Sequence, residues 1–396
     1  MRLAISRLAF SALAAGVALT GLALASLPVQ AQETVKIGIL QSFSGITSLG
    51  GQQADGAVKL FMKKYGETAG GKKIELIRRD TTGPNPEVAK RLVQEVVTRE
   101  RVNLLIGPDY TPNTLAAAPI LMEAKVPSFV TGAATTGIVG EKSKYSTRTF
   151  FAVPQLCRPL AAYAVKNGWK RVFVAVADFA PGHDCEKYFL EALKDANGEL
   201  AGNLRIPVSN PEFSGYMQRI RDAKADAVFI FMPIGELSIG ILRAINDSGL
   251  KSTGIKIMGT GDITDETYID AVGDAAIGTI TTGIYSTQHD SPLNKEFVKE
   301  WAELNGKQRI GWGALATYDS MRLIYDGLNA QAGGKFDPDK FIGFVHGRSF
   351  ESPRGPVTID KGNGDIIQNV YIRRVDKVDG VLQNVEIESF SNVGFK

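Results

Sequence analysis

Cysteine and histidine are scarce in this 396-residue chain, which holds two of the former and three of the latter. His183, His289 and His346 stand in no H-E-x-x-H or H-x-x-x-H spacing, so they offer no helical pair of metal ligands. No G-x-S-x-G elbow singles out an activated serine. Gly140-Glu141-Lys142-Ser143 lacks the glycine that precedes lysine in a phosphate loop. Gly259-Thr260-Gly261 lacks the third glycine of a dinucleotide fingerprint and comes late in the chain. Asp337 and Asp339 flank Pro338 in a polar connection, where helix capping explains them better than acid-base chemistry. The sequence therefore assigns no catalytic residue, no metal and no cofactor, and binding is the expected activity.

Long apolar runs are also missing, with one exception at the start. Arg2 and Arg7 precede an apolar stretch from Leu8 to Leu24, and Val29-Gln30-Ala31 supplies the small residues that a signal peptidase requires. Residues 1–31 read as a secretory signal, leaving Gln32 or a close neighbour as the mature start. No cysteine lies near the cut to carry a lipid anchor, so the expectation is a free periplasmic protein. Loss of the two arginines turns 45 basic and 42 acidic residues into 43 and 42, and the formal charge falls from +3 to +1. A nearly neutral protein has no concentrated positive field with which to seek nucleic acid or anionic lipid. No later apolar run is long enough to cross a bilayer, and the remaining length suggests two globular units.

The two thiols belong to Cys157 and Cys185. In an oxidising compartment they are most simply a disulfide, each lying near the expected start of a successive helix. A thiol nucleophile served by His183 is the sharper alternative, but residues two apart on a helix point away from each other.

What the chain does have is an alternation of short apolar strands with amphipathic helices, the pattern of parallel βαβ units covered on both faces. Strands are expected at 35–40, 73–79, 104–106 and 127–130, with helices at 53–65, 85–100 and 113–124. Asn85 and Pro86 supply a natural cap and first residue for the second helix. The rhythm restarts with helices at 160–167, 185–196, 216–224 and 237–248 and strands at 171–176, 204–208, 227–231 and 255–258. Two such sets imply an α/β protein with two doubly wound parallel-sheet lobes. Later helices at 294–305 and 314–331, and alternation from Ile366 to Val375, return to one lobe or the other.

Ligands of open parallel sheets sit beyond the carboxyl ends of the strands. Here those loops are Ser42-Phe43-Ser44-Gly45, Gly107-Pro108-Asp109-Tyr110-Thr111, Thr131 to Thr136, Asp178 to Gly182, Met232-Pro233-Ile234-Gly235 and Gly259 to Asp262. Backbone N–H groups and hydroxyls at helix starts hold an anion without a buried cation. Ordinary turn and capping chemistry is the bland account of the same residues.

Several of these segments together resemble the periplasmic leucine/isoleucine/valine-binding family of transport receptors. The likeness rests on Val35-Lys36-Ile37-Gly38-Ile39-Leu40 with its Ser44-Gly45 to Gly50-Gly51 loop, on Leu105-Ile106-Gly107-Pro108, on Thr131-Gly132-Ala133-Ala134-Thr135 and on Asp178-Phe179-Ala180-Pro181-Gly182. Glu351-Ser352-Pro353-Arg354-Gly355-Pro356 and Asn369-Val370-Tyr371-Ile372 are similar to the family's closing segment. The resemblance implies a type I periplasmic binding protein fold with a three-strand hinge, a ligand captured by hinge closure, and delivery by a monomer to an ABC permease and its ATPase. It places the first lobe at 32–153 plus 286–347 and the second at 154–285 plus 348–396.

By the same resemblance Thr111 is a hydroxyl donor to a ligand carboxylate, Ala133 and neighbouring Ala134 offer backbone contacts, and Thr135 gives both hydroxyl and N–H. In the second lobe Pro181 departs from the family's tyrosine. Gly261 falls where amino-acid binders place the acid that meets the ammonium, and Asp262 is the nearest substitute. Phe43, Tyr110, Phe179 and Trp312, with Ile234 in an adjoining loop, suggest an apolar slot, though core packing accounts equally for each aromatic. The expected ligand is an aromatic or other hydrophobic carboxylate, as in the branch of the family whose members include aromatic-acid receptors. A branched-chain amino acid is the alternative ligand, and a ligand sensor of the same fold the alternative role.

Overall fold

The computed structural model describes residues 32–395. The expected signal at 1–31 lies outside the described residues. The chain opens with β1 (Thr34–Gln41), α1 (Ser48–Tyr65), β2 (Thr68–Ala69), β3 (Lys72–Asp80), α2 (Pro86–Glu95), β4 (Leu104–Ile106), α3 (Thr111–Ala124), β5 (Ser128–Val130) and β6 (Ser146–Arg148). These strands form one sheet in the order β2-β3-β1-β4-β5-β6, parallel except for β2. Val35, Ile37 and Ile39 face one core and Leu40 the other, as a strand covered on both faces requires. Asn85 caps α2 by accepting from the Val88 N–H at 3.2 Å, with Pro86 in the first turn.

A second sheet follows from α4 (Val153–Lys166), β7 (Arg171–Ala177), α5 (Ala180–Asp195), β8 (Glu199–Ile206), α6 (Phe213–Asp222), β9 (Ala227–Phe231), α7 (Glu236–Asp247), β10 (Lys256–Thr260), α8 (Ile269–Val272) and β11 (Ile280–Gly283). The chain then forms α9 (Pro292–Asn305), α10 (Trp312–Asn329) and α11 (Pro338–Val345), with α9 and α10 packed on α1. It returns to the second sheet as β12 (Ser349–Ser352), β13 (Gly355–Ile359), β14 (Ile366–Val378) and β15 (Val381–Val393). That sheet runs β12-β13-β14-β11-β10-β9-β7-β8, parallel from β11 to β8, with β15 hairpinned on β14. Helices α4 and α5 pack together, as do α6 and α7, so the second sheet is also doubly wound. This is the two-lobed α/β architecture expected from the sequence.

Among the helices that begin earlier than expected, the largest differences are at α1, which starts at Ser48, α4 at Val153 and α5 at Ala180. In α4 and α5, Pro154 and Pro181 occupy the first turn, where a missing N–H costs nothing, so they extend these helices instead of delaying them. Strand β8 starts at Glu199, ahead of the expected Leu204. A disulfide joins Cys157 of α4 to Cys185 of α5 with their Cα atoms 5.7 Å apart. The Cys185 thiol is therefore consumed, which removes the nucleophile alternative.

Three crossings link the lobes, at 149–152, 284–291 and 346–348. Two fully buried arginines stitch them. Arg354 meets Asp319 Oδ2 of α10 through Nε at 3.1 Å and Nη2 at 2.6 Å, and donates to the Thr149 carbonyl at 2.9 Å. Arg148 pairs with Asp365 at 3.1 Å. Burial of such charges is tolerated only with partners of this quality.

Candidate functional site

The carboxyl ends of both sheets converge on one cleft. At the end of β4, Gly107 takes φ +100°, and a Cβ there would lie 2.1 Å from the Leu40 carbonyl oxygen, so only glycine fits. The turn presents Asp109, whose buried carboxylate accepts from the Ser42 N–H at 2.8 Å, the Ser42 hydroxyl at 2.6 Å and the Thr81 hydroxyl at 2.8 Å. Burial raises its pKa, and these donors act in the opposite direction. Asp109 thus ties three strand ends together and fixes the start of α3, where Thr111 is the first, buried residue.

The loop after β5 forms the first-lobe wall. Arg148 holds it from beneath, donating to the carbonyls of Ala133 at 3.3 Å, Thr135 at 2.9 Å and Phe151 at 3.0 Å. With the Ala133 and Thr135 carbonyls turned to Arg148 and the Ala134 carbonyl to the Val153 N–H, the N–H groups of these three buried residues find no acceptor among the described residues. The Thr135 hydroxyl instead donates across the cleft to Asp184 Oδ2 of α5 at 2.8 Å, and the Thr136 N–H reaches the same oxygen at 3.1 Å. This edge of the cleft therefore binds a carboxylate of the protein itself.

The second-lobe wall is different. Gly261 directly follows β10, and a Cβ built on it would fall 2.0 Å from Arg373 Nη2 and 2.5 Å from the Trp312 ring. Trp312, at the start of α10, packs edge-on against Phe151 at 5.5 Å, with the Arg373 guanidinium 5.0 Å from the indole centre. Arg373 is wholly buried on β14, donating to the Tyr285 carbonyl at 2.6 Å and the Thr281 hydroxyl at 3.2 Å. Asp262, Asp265 and Glu266 are buried beside it. Burial pushes the Asp262 pKa up to about 7, with Asp265 adding to the rise and Thr260 and Arg373 opposing it. Burial likewise raises Asp265 and Glu266. Thr260 Oγ1, Asp262 Oδ2, Asp265 Oδ2, Trp312 Nε1 and Arg373 Nε all lack a hydrogen-bond partner among the described residues. Five orphaned polar atoms in one buried neighbourhood form a strong mark of a ligand site.

The remaining expected residues lie around this centre. Tyr110 has φ +63°, and burial together with the nearby Asp109 and second-lobe Tyr268 holds its phenol un-ionised. Phe179 stacks on Phe231 at 6.1 Å, and Pro181 is buried in the first turn of α5. Ile234 is 37 % exposed, on the rim. Phe43 lies under the Arg78 guanidinium at 3.6 Å and against Gly51, so its contacts are with its own lobe. Across the opposite rim Arg309 forks onto Asp270 at 2.8 and 2.7 Å and reaches Glu266 at 2.8 Å. Together with the Thr135–Asp184 contact, it holds the lobes closed. Arg148, Asp184, Asp265, Arg309 and Arg373 were not anticipated from the sequence.

Residues 34–380 match the family model described as periplasmic binding protein. The chain belongs to this family. A Leu/Ile/Val-binding protein homolog 6 from Brucella melitensis is 39% identical over 364 residues, covering 91% of this chain and 93% of that protein. Among solved structures, an ABC-transporter solute-binding protein from Rhodopseudomonas palustris BisB5, in complex with 3,4-dihydroxybenzoic acid, is 40% identical. The match has a TM-score of 0.86 and covers 91% of this chain and 98% of that one. Its counterpart from R. palustris HaA2, in complex with p-hydroxybenzoic acid, is 39% identical with a TM-score of 0.87 and the same coverage. The periplasmic binding protein described here is thus a solute-binding receptor of type I fold, and no helix among its described residues is long and apolar enough to cross a membrane.

Proposed function

We propose that this protein is the exported, monomeric receptor of an ABC importer and that it captures a small aromatic carboxylate by closing its lobes, without chemical change to the ligand. The observation that carries the ligand class is at Gly261. Where an amino-acid receptor needs an acid to meet an ammonium, Arg373 and the Trp312 ring fill the space. The guanidinium and the indole leave no room there for an acid–ammonium pair, whereas an indole beside Phe151 suits an aromatic ring. The free N–H groups of Ala133, Ala134 and Thr135 support a carboxylate at the first-lobe wall, with Thr111 at the adjacent helix start. The two R. palustris neighbours carry hydroxybenzoates, consistent with that class.

In this reading residues 1–31 are the export signal, 32–153 with 286–347 form the first lobe, and 154–285 with 348–396 form the second. Strand membership of the two sheets supports the division. A thermal-shift panel tests the ligand class, since a ligand at a hundredfold excess over its Kd adds about 2.7 kcal/mol. Benzoate-type acids are expected to raise the melting temperature, and leucine, isoleucine and valine to leave it unmoved. The opposite pattern would establish amino-acid binding in its place.

A further inference from the structure

The second-lobe cluster has a composition that the carboxylate alone does not use. Asp262, Asp265 and Glu266 already face Arg373, and Arg309 is engaged by Glu266 and Asp270, so no cation at this wall is left over for a ligand carboxylate. The ligand's anionic end therefore belongs at the first-lobe amides, and its far end at the cluster. The unpartnered atoms there are of both kinds: acceptors at Asp262 Oδ2 and Asp265 Oδ2, donors at Trp312 Nε1 and Arg373 Nε, and the Thr260 hydroxyl, which is either. An ammonium supplies only donors, and an ether or halogen only acceptors. A phenolic hydroxyl supplies both in one atom group.

We propose that the cluster of Thr260, Asp262, Asp265, Trp312 and Arg373 reads a hydroxyl on the ring edge remote from the carboxylate, making the receptor selective for hydroxylated over unsubstituted aromatic acids. The inference rests on the aromatic-acid reading and adds the chemistry of the far end. Asp262 accepts a hydrogen bond from the phenolic hydroxyl, while Arg373 acts as a positioning residue that lies against the acids and fills the space beside Gly261. A ligand without the hydroxyl leaves these buried groups unpaired, which is the situation in which binding sites discriminate most sharply.

Isothermal titration of the full mature protein with 4-hydroxybenzoate, 4-fluorobenzoate and benzoate tests the inference. Fluorine fills the para position without donating. Binding of 4-hydroxybenzoate about tenfold or more tighter than both others is expected, the step that one buried polar group gives. Equal affinity for all three overturns hydroxyl reading and leaves the aromatic-acid reading standing. Equal affinity for the fluoro and hydroxy acids, both above benzoate, overturns it in favour of simple filling. If none of the three binds, both readings fall. Asp262→Asn is expected to bring the hydroxybenzoate-to-benzoate affinity ratio within about threefold, with circular dichroism confirming the fold. An unchanged ratio removes Asp262 from the role.

Discussion

The first-lobe wall of the cleft offers amides and hydroxyls from Ala133, Ala134, Thr135 and Thr136, whereas the second-lobe wall buries Asp262, Asp265, Glu266 and Arg373 around Gly261. Neutral donors hold an anion cheaply, because they need no counter-charge when the lobes open and water enters. Buried charges are costly when unpaired and so discriminate strongly between ligands that pair them and ligands that do not. One wall is suited to capture and the other to selection. Arg148 and Arg354 tie the crossings together, while Thr135–Asp184 and Arg309 are the polar contacts at the two rims that part when the cleft opens.

The sharpest way to break this contrast is Arg373→Gln, which leaves three buried acids with one fewer cation. A stability loss of about 3–5 kcal/mol in urea unfolding is expected. A loss below about 0.5 kcal/mol, the range typical of surface changes, would mean that the wall is not held by charge. Gly261→Ala comes next. Its methyl meets Arg373 and the Trp312 ring, and overpacking of this kind costs about 1–3 kcal/mol, read as a lower melting temperature and weaker ligand binding. On the first wall Thr135→Ala removes the hydroxyl-to-carboxylate hydrogen bond to Asp184 that closes the cleft. Ligand affinity should fall by about 1 kcal/mol, roughly fivefold, in calorimetric titration, with the unliganded melting point little changed.

A further effect is a pH slope. Burial lifts Asp262 from its ordinary 3.8 to about 7 among Thr260, Asp265 and Arg373, so the folded state favours the protonated form. Stability from this group is present below pH 4 and is lost as pH rises towards about 7. Asp262→Asn should flatten the decline of melting temperature across that window. An identical slope in the variant would place the titration elsewhere.

Much of this architecture was legible because it is periodic. Runs such as Val35–Leu40 and Arg171–Val176 declare buried parallel strands, and the Asn85-Pro86 pair declares a helix start. The β14–β15 hairpin was legible in principle and missed. Asp379-Gly380 adopts φ +51° and +81°, the two-residue turn that such a pair favours. Thr111, Ala133 and Thr135 could be placed through family likeness, since each lies beside a strand end. Asp184 and Arg373 could not, because their roles arise from lobe closure and from strand order, which bring together residues 49 positions apart in one case and 88 in the other. Phe43 illustrates the converse: an aromatic in the right loop, turned to Arg78 by local packing.

The most direct test of the two-wall account is a crystal structure of the protein with 4-hydroxybenzoate bound. In that complex the carboxylate is expected on the amides of Ala133 to Thr135, the ring beside Trp312 and the hydroxyl within hydrogen-bond distance of Asp262. A carboxylate seated on Arg373, with the hydroxyl at the first-lobe amides, would contradict it.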